Sequence, residues 1–199
     1  MLPPRSTGIA AALPAALLLA GLLAACAALP SAGPDAPPAE LRLEPPSSEN
    51  QSLVYGYLDM SDAPTPLGWM EFRQLAPASD AAFYQMRVHE GVFYMEKFPP
   101  GVFALGEFGG ERHGRPLAYA LPRTSPSLRI TIREPGLLFV GAFKFRRSTA
   151  PAGEAGAGQR FLLDAIPTLR ERDVLARILP FARGTPWEAR IQERLARGG

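Results

Sequence analysis

The chain has 199 residues, a formal net charge of +2, two histidines and a single cysteine. A lone cysteine leaves no disulfide framework, and a charge so near neutral points to no nucleic-acid partner. Two histidines leave little room for metal or acid–base chemistry, and the length suits one ordinary domain with a real core.

The first segment joins a short start carrying Arg5 to an uncharged Ala/Leu-rich stretch, Ile9 to Ala25, that ends in small residues before Cys26. A basic start, an apolar middle and a small-residue cut site describe a secretory signal. Leu23-Ala24-Ala25-Cys26 resembles the lipobox of bacterial lipoprotein precursors. The resemblance implies diacylglycerol on the Cys26 sulfur, cleavage after Ala25 and acylation of the new amine. Ala27 rather than aspartate follows the cysteine, which in enteric-type bacteria implies sorting to the outer membrane; the domain is expected to face the periplasm. Two plainer alternatives remain for the same residues: an ordinary Ala-x-Ala signal, or a retained membrane helix over Gly8 to Leu29, weakened by Pro14. Residues 26–51, whose Pro30–Asn50 part is rich in proline and small polar residues, read as a tether reaching up to roughly 75 Å.

From residue 52 to 166 period-two patterns dominate. Tyr84, Met86 and Val88 alternate with Gln85, Arg87 and His89, and Leu128, Ile130 and Ile132 with Arg129, Thr131 and Arg133. Further strands are expected near 53–60, 69–75, 92–98, 102–108, 116–121, 136–145 and 160–166. "GLLFVGAFKF" is apolar on both faces, as a central strand is. These elements predict a mainly β fold: an antiparallel β-sandwich of about seven to nine short strands. Pro99-Pro100-Gly101 reads as a type II turn, and Ser148–Gln159 as a loop. The run Gly91, Phe93, Phe98, Pro99, Pro100, Gly101, Phe103 and Leu105 resembles repeats of carboxypeptidase-regulatory or transthyretin-like β-sandwich domains. That likeness implies a non-catalytic scaffold and carries over no functional residue.

Residues 167–199 turn helical. Thr168 with Glu171 reads as a capping box for a helix ending before Pro180, and Thr185, Pro186 and Glu188 open a second one whose Trp187, Ile191 and Leu195 share a face. Seven arginines make this segment basic, offset in part by four acids, which reads as a solvated face or a surface for anionic lipid or lipopolysaccharide.

No motif calls for a cofactor. "GEFGGERHG" has the glycines of a phosphate loop without its Gly-Lys-Ser/Thr ending. His113 with Glu111, or His89 with Glu90 and Glu71, lacks ligand spacing for a metal. No hydrolase motif is present. The expected function is therefore a lipid-anchored envelope module that binds or assembles with an envelope protein or polymer and holds to the membrane through acyl chains on Cys26. The alternative is an envelope hydrolase acting on cell-wall or glycan polymer, with Glu71, Glu90 or Glu107 converging in a cleft.

Overall fold

A computed structural model describes residues 37–78, 83–121, 128–147 and 161–198. The residues read above as a signal with Ala25 and Cys26, as a tether up to Ala36 and as a loop over Ser148–Gln159 lie outside the described residues.

The alternating segments form nine strands: β1 Ser52–Asp59, β2 Trp69–Ala76, β3 Phe83–His89, β4 Val92–Phe98, β5 Gly101–Arg112, β6 Arg115–Ala120, β7 Arg129–Ile132, β8 Leu137–Arg147 and β9 Phe161–Ala165. They make one continuous path in the order β6-β5-β2-β3-β4-β1-β8-β9, with β7 added to β5. Two features of the expected sandwich are corrected. The sheet is mixed, because β1 runs parallel to β8, Leu53 pairing with Leu137 and Leu58 with Phe143. The strands also form one curled sheet instead of two stacked antiparallel layers. Its ends meet through rings: Tyr119 of β6 lies 4.7 Å from Phe145 of β8 and 5.6 Å from Phe161 of β9.

Curling gives two cores. Along β1, Val54 and Leu58 point to the inner core with Phe72, Phe93, Phe103 and Phe108, while Leu53 and Tyr55 point outward. A strand apolar on both faces must be covered twice. The outer cover consists of α1 Glu171–Ala182 and α2 Pro186–Ala196, which bury Val174, Leu175, Ile178, Trp187 and Ile191 against β1 and β4.

Both helix starts differ from expectation. A turn joining Leu169 N–H to the Ile166 carbonyl takes up Thr168, so α1 begins at Glu171, and Asp173 accepts the Arg170 N–H at 2.9 Å. The helix continues past Pro180 to Ala182, since burial of Phe181 and Ala182 outweighs one missing hydrogen bond. At α2 the expected box shifts: Thr185 Oγ1 donates to the Ala182 carbonyl at 2.7 Å, and Glu188 accepts the Gly184 N–H at 2.9 Å. Pro99-Pro100-Gly101 makes no type II turn; Gly101, φ 159°, is the extended first residue of β5, and the prolines form a corner between strands that are not sheet neighbours.

The largest departure concerns the tether. Its C-terminal part, residues 37–51, is laid on the domain as a strap beginning with a 3₁₀ turn, Ala39–Leu41. Leu43 is 2% exposed, and its N–H donates to the Phe181 carbonyl at 2.8 Å. Tyr94 donates its hydroxyl to the Leu41 carbonyl, and Trp187 Nε1 donates to the Glu44 carbonyl at 3.0 Å. Proline content makes a segment poor at burying surface on average, but two leucines at alternate positions beside buried donors suffice to seat this one.

Candidate functional site

A groove of about 600 Å³ opens where β1 ends. The segment from Tyr57 to Leu67 forms its floor and one wall, and the β3–β4 turn, Glu90-Gly91, forms the other. Both turn residues have positive φ, 48° and 80°, the two-residue form that matches strand twist. Glycine is required at 91: a Cβ there would sit 2.9 Å from the Leu58 carbonyl oxygen and 2.8 Å from the Tyr57 ring. Glu90 holds the left-handed conformation without that exemption, at a cost of about 1–2 kcal/mol. The loop is pressed onto β5 at Gly110, where a Cβ would lie 2.1 Å from the Pro66 carbonyl oxygen.

Met60, Pro64, Pro66 and Leu67 make the lining mostly apolar, and Asp59, Thr65 and Glu90 supply its polar groups. Asp59 accepts the Ser61 N–H at 2.8 Å, and Asp62 pairs with Lys144 at 3.3 Å, so these carboxylates fix the turn. Thr65 is 4% exposed and its hydroxyl has no hydrogen-bond partner among the described residues. Glu90 has no ion pair among the described residues. Such a groove suits an apolar group carrying a polar or cationic end.

Of the three acids named for a hydrolase, the fold unites two. Glu71 on β2 and Glu107 on β5 are register partners on the outer sheet face. Burial pushes the Glu71 carboxyl up, Glu107 adds to the rise, and Arg73 opposes it. Gly106 leaves room for Arg73, whose Nε is 2.6 Å from where a Cβ would be. Glu90 stands apart at its hairpin, and neither Glu71 nor Glu107 lines the large groove.

A second, smaller groove of about 300 Å³ opens where β3 and β4, paired only over residues 87–89 and 92–94, diverge. Beside it Glu96, fully buried, accepts from Arg87 Nη1 at 2.5 Å and from the Glu44 N–H at 2.9 Å. Glu44 also pairs with Lys97 at 2.7 Å, and Lys97's hydrogen bond and charge hold its carboxyl low. This network fastens the strap.

The remaining candidates are dispersed. His89 packs edge-on against Phe181 at 5.3 Å, and His113 is exposed in the β5–β6 turn. Among the described residues no group of three or more His, Cys, Asp or Glu is placed to hold a metal ion. Gly106–Gly114 is strand β5 and its hairpin, with no helix after it. Trp187 is fully buried, as a core residue is. The large groove escaped the sequence reading because its walls lie some 25 residues apart; the one local signal was Glu90-Gly91, a hairpin dipeptide.

No family model matches the chain, and neither the curated proteins nor the solved structures offer a similar one.

Proposed function

We propose that the chain is a lipid-anchored cell-envelope protein whose β domain acts as a non-catalytic binding or assembly module. Leu23-Ala24-Ala25-Cys26 at the end of a signal-like segment carries the reading. Three acyl chains would hold it at the membrane, where a single chain holds only marginally. A groove with an apolar floor and a rim set by Gly91 and Gly110 supports binding without turnover. The likeness of Gly91–Leu105 to sandwich-domain repeats fits the same scaffold role, and Ala27 supports placement at the outer membrane, where we place the domain on the periplasmic side. Intact-mass measurement and fractionation of the wild type and Cys26→Ser test the anchor: the wild type is acylated and sediments with membranes, the variant does neither. A bare thiol on the native protein refutes it.

A second reading, an envelope hydrolase acting on glycan, has one observation in its favour. Glu71 and Glu107 face each other as register partners, which brings two carboxyl groups into one patch, and the raised Glu71 is suited to hold a proton. Cleavage of cell-wall polymer by the purified protein, abolished in Glu71→Gln and Glu107→Gln, would establish it over the first.

A further inference from the structure

The helical segment contains Arg170, Arg172, Arg177, Arg183, Arg190, Arg194 and Arg197 against only four acids, Glu171, Asp173, Glu188 and Glu193. The whole chain carries a formal net charge of +2, so this segment holds all of the excess and the rest is slightly acidic. The fold then uses the acids internally. Glu171 accepts from the Tyr55 hydroxyl at 2.5 Å and from two nitrogens of Arg194 at 3.1 Å. Asp173 and Glu188 accept backbone N–H groups at the two helix starts, and Glu193 pairs with Arg197 at 2.5 Å. Arg172 and Arg183 are exposed and have no ion pair among the described residues. Arg177 and Arg190, also exposed, lie over the Tyr57 and Trp187 rings at 5.3 and 4.9 Å, which holds their charge at the surface without neutralising it.

The strap lies on this same outer side of the sheet, Leu43 on Phe181 and Glu44 on Trp187. Its first turn, Ala39–Leu41, rests on β3, where Arg87 Nε donates to the Glu40 carbonyl at 3.1 Å, so the chain leaves the domain on the side that the basic helices cover. Between Cys26 and Pro37 lie only ten residues, a reach of about 34 Å over the eleven steps at ~3.1 Å each. Surface attraction fades over a Debye length of about 8 Å. A short leash attached on the basic side keeps that side close enough to sample it.

We propose that the helical layer docks flat on the headgroup surface of an anionic phospholipid bilayer, with Arg172, Arg177, Arg183 and Arg190 facing the lipid. The orientation by the leash rests on the lipoprotein reading; the charged surface does not. The test uses the chain from Pro37 onward, which contains both hydrophobic cores whole, with vesicles of phosphatidylcholine alone or mixed with phosphatidylglycerol. Binding is expected to the mixed vesicles only, and to fall as salt rises. Arg172→Gln/Arg183→Gln should lower the partition coefficient roughly 25-fold, about fivefold per arginine, with the thermal midpoint unchanged. Arg129→Gln/Arg133→Gln, an equal loss of charge in and just after β7, should leave binding as it was. No binding to the mixed vesicles, or equal losses from both pairs, overturns the proposal. If native Cys26 proves a bare thiol while vesicle binding behaves as described, the leash fails and the docking surface stands.

Discussion

Replacing Leu43 by alanine separates a packed strap from a mobile tether. Leu43 is 2% exposed and lies in one cluster with Phe181 and Trp187. Burying a leucine side chain contributes about 1.5–3 kcal/mol, and the cavity left by truncation raises leucine-to-alanine costs to about 2–5 kcal/mol. The strap is a thin outer element that closes partly over a void, so the lower end applies, about 2–3 kcal/mol. An exposed tether residue would change stability by less than about 0.5 kcal/mol. Urea unfolding followed by tryptophan emission suits the measurement, because the Trp187 indole is hydrogen-bonded to the strap. The midpoint should fall with the m-value unchanged. Phe181→Ala, made alone and with Leu43→Ala, should show a coupling of at least about 0.5 kcal/mol. A change below about 0.5 kcal/mol for Leu43→Ala, with no coupling, would refute the packed strap.

Three further outcomes follow from the same geometry. Glu96→Ala leaves the Arg87 guanidinium and the Glu44 N–H without their buried acceptor and should cost about 3 kcal/mol, the low end for a broken buried pair because Arg87 is partly open to water; urea midpoints measure it, and a neutral result would remove Glu96 from the clamp. Glu71 binds its proton more tightly folded than unfolded, so it lowers stability as pH rises through and above the carboxylate range. Glu71→Gln should therefore be more stable than the wild type at pH 7 and similar to it well below pH 4, read from thermal midpoints across pH. Glu90→Gly relieves a positive φ at about 1–2 kcal/mol and adds about 0.5–1 kcal/mol of chain entropy cost; a small rise in thermal midpoint is expected, and a clear fall would assign the carboxylate a stabilising contact.

The strands could be read because each carries its own alternation. In β2, Met70 and Phe72 are buried while Glu71 and Arg73 are partly exposed, and the same rhythm marks β3 and β7. Alternation says which face a residue takes, not which strand lies beside it, so the parallel β1–β8 pair and the curl were not legible. β1 did carry a trace of its place: apolar residues on both faces need covers on both sides. Capping was misread at Thr168 because a turn from Ile166 to Leu169 competed for the same residues. The strap was hidden by composition, its prolines outweighing Leu41 and Leu43. Of the three acids expected to converge in a cleft, Glu71 and Glu107 meet as register partners while Glu90 faces another opening, a division that strand pairing decides and alternation alone does not show.

The placement of β1 governs the order in which this molecule is able to form. The strand nearest the N-terminus is flanked by β4 and by β8, and its outer face waits for helices that end at Ala196. Pairing residue 53 with residue 137 closes a long loop before either partner is rewarded, which makes folding slow. A chain that emerges gradually thus completes its outer core, with Leu53, Tyr55 and Tyr94, only when the second helix arrives.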